Sequence, residues 1–126
     1  KENKVENAMI VHSEDGMDEI SPFAKTKIIE LKDKKIKEFI IDPSEFDILI
    51  KNKENLKGKN AEYNAKKIID IFKGEVNEFS QAVALNVAAG LIVSKKESNF
   101  KSAFQKATQH LSSTNTYNHL LKIQSI

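Results

Sequence analysis

Cysteine is absent from the 126 residues, which excludes a disulfide framework, a thiolate metal site and a cysteine nucleophile. Arginine is absent too, so all 20 basic residues are lysines. Nothing in the chain can fork onto a carboxylate or phosphate in the planar bidentate manner, and phosphate contacts fall to lysine as a point charge. Long apolar runs are also lacking. The longest, Ala82 to Val93, is interrupted by Asn86 and falls short of the roughly 20 residues that span a bilayer. No charged-then-apolar leader opens the sequence, so the expectation is a soluble, cytoplasmic protein with no membrane partner. Charge of one sign is missing as well: 20 bases face 18 acids for a net charge of +2, and the signs alternate along most of the chain. A nucleic-acid surface gathers bases on one face and uses arginine at base edges, so no nucleic-acid partner is expected. Finally, there is no Ser-His-Asp order, no nucleophile elbow and no glycine-rich phosphate loop.

What remains is a chain of globular composition, 40% hydrophobic and 30% charged, at a single-domain length. At this size roughly two thirds of the unfolded surface can be buried. Strands are expected first, then helices. Asn7 to His12 reads as a short, continuously apolar strand covered on both faces, as in the middle of a parallel or mixed sheet. Lys25 to Leu31 and Ile36 to Ile41 read as a hairpin joined by Lys32-Asp33-Lys34-Lys35. Asp42-Pro43-Ser44-Glu45 is a helix-start signature for a single turn. Phe46 to Lys59 reads as irregular connection, with Ile48 to Ile50 extended.

From Asn60 the apolar period becomes helical. Ala61, Ala65, Ile68, Ile69 and Phe72 form one stripe, capped by Asn60 and stopped at Gly74. A second helix, about Glu78 to Ser94, is apolar at nearly every position from Ala82 to Val93 and is expected to be buried all round. Ser98 or Asn99 caps a third helix carrying Phe100, Ala103, Phe104, Ala107 and Leu111. Ser112 to Thr116 weakens it, and Tyr117, Leu120 and Leu121 resume the stripe.

Between the first strand and the hairpin lies the most concentrated chemical signal. Glu14, Asp15, Asp18 and Glu19 place four carboxylates within six positions around Gly16. Oxygen-only donors select a hard cation such as Mg²⁺ or Ca²⁺. Met17 and Ile20 fall where a twelve-residue calcium loop wants oxygen donors, so that class is rejected. A magnesium site completed by water and substrate phosphates fits better, and the loop follows the C-terminal end of a strand, where α/β sheets place ligands. The bland alternative is a solvated loop with excess charge. His12 caps a strand without a second histidine nearby, which favours a hydrogen-bonded structural role. His110 and His119 fall on helix surfaces. Asn86, a lone amide in an apolar helix, must find partners, and tying its helix to a neighbouring loop is favoured over facing a ligand. Gly58-Lys59-Asn60 reads as an anion cradle at a helix start or, equally well, as plain capping.

The run Val11-His12-Ser13-Glu14-Asp15-Gly16-Met17-Asp18-Glu19-Ile20-Ser21-Pro22 resembles the Val-His-Gly-x-Asp-Gly-Leu-Asp-Glu-Ile-Ser segment of the anthranilate phosphoribosyltransferases. Leu56-Lys57-Gly58-Lys59-Asn60-Ala61-Glu62-Tyr63-Asn64-Ala65, then Ala84-Leu85-Asn86-Val87-Ala88-Ala89, and the closing helix follow in the same order. Departures are Ser13, where the family usually has glycine, and Lys59-Asn60, where it often has Gly-Asp. The resemblance implies an α/β fold: a partial mixed sheet of one strand plus a hairpin, followed by three to four packed helices. It implies transfer of phosphoribosyl from phosphoribosyl pyrophosphate to anthranilate in tryptophan biosynthesis, with Asp18 and Glu19 holding Mg²⁺ at the diphosphate. The family's glycine-rich phosphate loop, Asn-x-Ser-Thr segment, anthranilate-binding arginine and N-terminal dimer-forming domain have no counterpart here. Residues 1–126 then read as one domain-sized piece of a larger catalytic domain; a start at Lys1 suits an excised piece and an intact domain after processing alike. It is expected to be inactive alone and prone to self-association, the full-length enzyme being a homodimer. The alternative is a non-catalytic binding or scaffold module of the same fold, such as a nucleic-acid-binding relative.

Overall fold

A computed structural model describes residues 4–48 and 52–126. Three strands, β1 (Ala8–Ser13), β2 (Thr26–Lys32) and β3 (Lys35–Ile41), form a sheet in the order β1-β2-β3. Every pairing among the described residues is antiparallel, with Val11 opposite Ile28 and Ile28 opposite Phe39. Among the described residues four helices follow: α1 (Ala61–Phe72), α2 (Glu78–Val93), α3 (Phe100–Ser112) and α4 (Asn115–Gln124). Strand plus hairpin, then packed helices, is the α/β arrangement expected. Among the described residues no helix is long and apolar enough to cross a membrane.

Local chemistry sets most boundaries. The hairpin closes through Asp33 and Lys34, both at positive φ (49° and 64°), as a two-residue turn between right-twisted strands demands. Asp42 accepts from the Ser44 amide at 3.0 Å and Pro43 opens the single 3₁₀ turn Pro43–Phe46. A second such turn, Lys53–Leu56, lies in the stretch read as irregular, because the Asn52 side chain caps Glu54 at 2.9 Å. Leu49 and Ile50 fall outside the described residues. Asn60, Asn77 and Asn99 cap α1, α2 and α3 by accepting from the amides of Tyr63, Ser80 and Ser102. Capping therefore accounts for Gly58-Lys59-Asn60, and the Lys59 amide is also satisfied, by Asn64.

The core lies between one sheet face and the helices. Ile28 and Ile41 meet Leu85, Ala88 and Ile92 of α2, Ala103, Phe104, Ala107 and Leu111 of α3, and Ile71 of α1. Phe46 stands edge-on to Phe100 and Phe104, at 5.6 and 5.4 Å between ring centroids.

Four expectations need correction. β1 is an edge strand of this sheet, and Ile10 on its outer face is 66% exposed, so it is not covered on both sides. α2 is not buried all round: Val83, Val87 and Gly90 form an exposed stripe opposite its buried alanines. In α1 the buried residue is Ile71, whereas Ala61, Ala65 and Ile68 face outward. α4 is a separate helix with no buried residue, so Leu120 and Leu121 resume a stripe without extending the core. The outer sheet face is notably apolar, since Ile10, Ile29 and Leu31 share it with the exposed Ile36 and Ile40.

Candidate functional site

The loop leaving β1 is folded on itself by its own polar groups. The Gly16 amide donates to the Ser13 carbonyl at 3.0 Å and the Ser13 amide to the Met17 carbonyl at 3.3 Å, with Gly16 at φ 82° making the reversal. Asp15 is the internal staple. Its carboxylate accepts from the Ser21 hydroxyl at 2.9 Å and the Met17 amide at 3.3 Å, and it pairs with the Lys53 ammonium at 3.1 Å. Lys53 also donates to the Asp15 carbonyl at 3.1 Å, which ties the second 3₁₀ turn to the loop. Ser13, where the resembling family has glycine, is fully buried and donates to the Lys25 carbonyl.

The other end of the loop is held by α2. The Ile20 amide donates to Asn86 Oδ1 at 3.0 Å, and Asn86 Nδ2 donates to the Ile20 carbonyl at 3.1 Å and to the Ala82 carbonyl at 2.9 Å. The lone amide in the apolar helix thus ties helix to loop, as expected. Beyond it, the Ser21 amide donates to the Thr26 hydroxyl at 3.2 Å, and both residues are fully buried.

This frame divides the four carboxylates. Asp15 belongs to the scaffold, a commitment that spacing alone did not show. Glu14, Asp18 and Glu19 are exposed, and among the described residues Asp18 and Glu19 have no hydrogen-bond or ion-pair partner. No three His, Cys, Asp or Glu side chains among the described residues converge as a metal-holding group. The loop therefore offers two adjacent free carboxylates, a partial oxygen donor set. His12 is exposed on β1 opposite Lys27, and no side-chain hydrogen bond joins it to the described residues, against the role favoured for it. His110 and His119 are exposed, as expected.

Asp15 also carries a pH signature. Burial pushes its carboxyl up, but the Ser13 hydroxyl, the Lys53 ammonium, the Ser21 hydroxyl and the Met17 amide together hold it down from 3.8 to about 2. A carboxyl with a lowered folded value stabilises the fold fully above its unfolded value. That contribution, about 1–2 kcal/mol here, is lost as the pH falls from about 4 toward about 2. The stability gap between the wild type and Asp15→Asn, measured by urea unfolding, is expected to close across that window. A gap that stays constant with pH would mean that the charge on Asp15 contributes nothing.

Comparison with known proteins bears directly on this loop. The model of the family described as "Glycosyl transferase family, a/b domain" matches residues 1–117, loop and helices together. The chain belongs to this glycosyl transferase family. Among curated glycosyl transferase relatives, the anthranilate phosphoribosyltransferase of Pelagibacter ubique is 54% identical over 119 residues, covering 94% of this chain and 36% of the relative. The crystal structure of the Thermus thermophilus anthranilate phosphoribosyltransferase superposes with a TM-score of 0.81 at 27% identity, over 92% of this chain and 34% of that one. A variant of the Saccharomyces cerevisiae enzyme, solved with Mg bound, shares the fold at a TM-score of 0.77 and 24% identity, over 89% of this chain and 33% of that one. The chain spans about a third of the length of these family members.

Proposed function

We propose that residues 1–126 are one domain-sized piece of the α/β catalytic domain of a cytoplasmic, homodimeric anthranilate phosphoribosyltransferase of tryptophan biosynthesis, and that Asp18 and Glu19 are its magnesium carboxylates. The observation that carries the reading is a pair of adjacent carboxylates, without a partner among the described residues, on a loop clamped at both ends, within a sequence 54% identical to such an enzyme. The donor set fits Mg²⁺, which takes one or two carboxylates and completes its shell with water and substrate phosphates. When bound, the ion would neutralise charge on the pyrophosphate leaving group. In the transfer, the ribosyl C1–O bond breaks with its electron pair leaving on pyrophosphate. A C1–N bond forms to the amine of anthranilate, which loses a proton. The part of this chain is to hold two negative charges in a fixed place facing solvent. Preorganised charge of this kind needs no rearrangement at the moment of reaction.

Grafting tests the reading. When this chain replaces the matching stretch of the Pelagibacter ubique enzyme, the chimera is expected to consume anthranilate with phosphoribosyl pyrophosphate and magnesium. The 126-residue chain alone is expected to be inactive. A folded chimera without turnover would refute the assignment, and product from the isolated chain would refute its incompetence alone.

The piece should also self-associate. β1 has an edge without a partner strand among the described residues, and Ile10, Ile36 and Ile40 are each at least 60% exposed on one sheet face. Light scattering at rising concentration is expected to show mass above one chain. A monomer at high concentration would count against this.

A further inference from the structure

Between Met17 and Ser21 the loop backbone has few anchors. Among the described residues, no hydrogen bond holds the amide or carbonyl of Asp18 or Glu19. The bonds that fold the loop stop at Met17 on one side and resume at Ser21 on the other. Ile20 stands between them, its side chain fully buried and both polar atoms of its backbone taken by the single amide of Asn86. The Asn86 side chain is itself fixed, because its second Nδ2 hydrogen is spent on the Ala82 carbonyl one turn back in α2. Its orientation is therefore held from the helix as well as by its two bonds to the loop.

We propose that Asn86 is a positioning residue, which fixes the backbone carrying Asp18 and Glu19 from α2 through the peptide groups of Ile20. This rests on the reading of Asp18 and Glu19 as ion ligands. The hydrogen bonds of the Asn86 side chain among the described residues go to Ile20 and Ala82, so it acts on Asp18 and Glu19 through the backbone. Removing a partner that orients a metal ligand lowers ion affinity by roughly 10- to 100-fold. The amide of Asn86 adds a support at Ile20 that the loop does not supply for itself, since the carboxylate of Asp15 is taken up by the Ser21 hydroxyl, the Met17 amide and Lys53.

The test uses the ¹⁵N-labelled 126-residue chain as wild type, Asn86→Ala and Leu111→Ala. Leu111, buried on α3, is a control that destabilises the core without touching the loop. In the first arm, without metal, ¹⁵N relaxation of Asp18 and Glu19 is measured. In the second, Mn²⁺ is titrated with inorganic pyrophosphate and paramagnetic broadening at the same amides is followed. Asn86→Ala is expected to raise the mobility of Asp18 and Glu19 and to shift the Mn²⁺ midpoint at least tenfold, while Leu111→Ala matches wild type in both arms. Unchanged relaxation in Asn86→Ala, or equal shifts in the two variants, would overturn the proposal. If wild type shows no broadening near these residues, the ion reading fails, and the metal-free arm alone confirms or overturns the anchoring. Should Asn86→Ala not fold, Asn86→Asp keeps the acceptor for the Ile20 amide and loses the donor to its carbonyl. Intermediate mobility in it would support the proposal, and wild-type mobility would overturn it.

Discussion

A double variant of the chimeric enzyme, Asp18→Asn with Glu19→Gln, is expected to lose turnover by a factor of roughly 10²–10³ while keeping its melting temperature. The two halves of this expectation have one cause. Both side chains are exposed and have no partner among the described residues, so the fold gains nothing from their charge. The amides have nearly the same shape and leave the loop's internal bonds untouched. What disappears is negative charge where a hard cation and a diphosphate would meet, and neutral amide oxygens are poor substitutes for carboxylates toward Mg²⁺. Asp15→Asn should do the reverse, lowering stability at neutral pH with a smaller effect on turnover. Steady-state kinetics and thermal unfolding on the same preparations separate the two cases. A change in kcat below threefold for the double variant would remove Asp18 and Glu19 from the mechanism.

The contrast between these carboxylates marks how far the sequence could be read. Position after a strand and density of charge located the loop, and the family resemblance selected Asp18 and Glu19 from it. Neither revealed that Asp15 serves the scaffold, because its partners Ser21 and Lys53 are assembled by the fold. Asn86 was legible for a physical reason: one amide in an apolar helix must be satisfied, and a nearby polar backbone is the cheapest supplier. Caps were legible too, since Asn60 and Asn99 act within three residues of themselves. Which apolar faces would be covered was not. Val83 and Val87 of α2 resemble their buried neighbours in hydropathy, and only the packing partner distinguishes them. The same holds for Ile68 against Ile71 in α1, where one isoleucine is half exposed and the other buried.

Gly74→Ala is expected to destabilise the fold by about 2–4 kcal/mol, seen as a lower urea midpoint with an unchanged slope. The C-terminus of α1 needs a residue at positive φ, which is where the sequence placed its stop, and Gly74 sits at φ 97°. That alone costs an alanine about 1 kcal/mol. The larger cost comes from α3: a Cβ on Gly74 would stand 2.9 Å from the backbone carbonyl oxygen of Ser112, which cannot swing aside as a side chain would. Gly16 supplies the control, because it too has positive φ, 82°, but a Cβ there meets nothing within 4 Å. Gly16→Ala should therefore cost only about 1 kcal/mol. Equal costs at the two positions would show that α1 and α3 can move apart freely at this end. In that case the close approach at Gly74 is not what holds α1, a helix with a single buried residue, against the rest of the core.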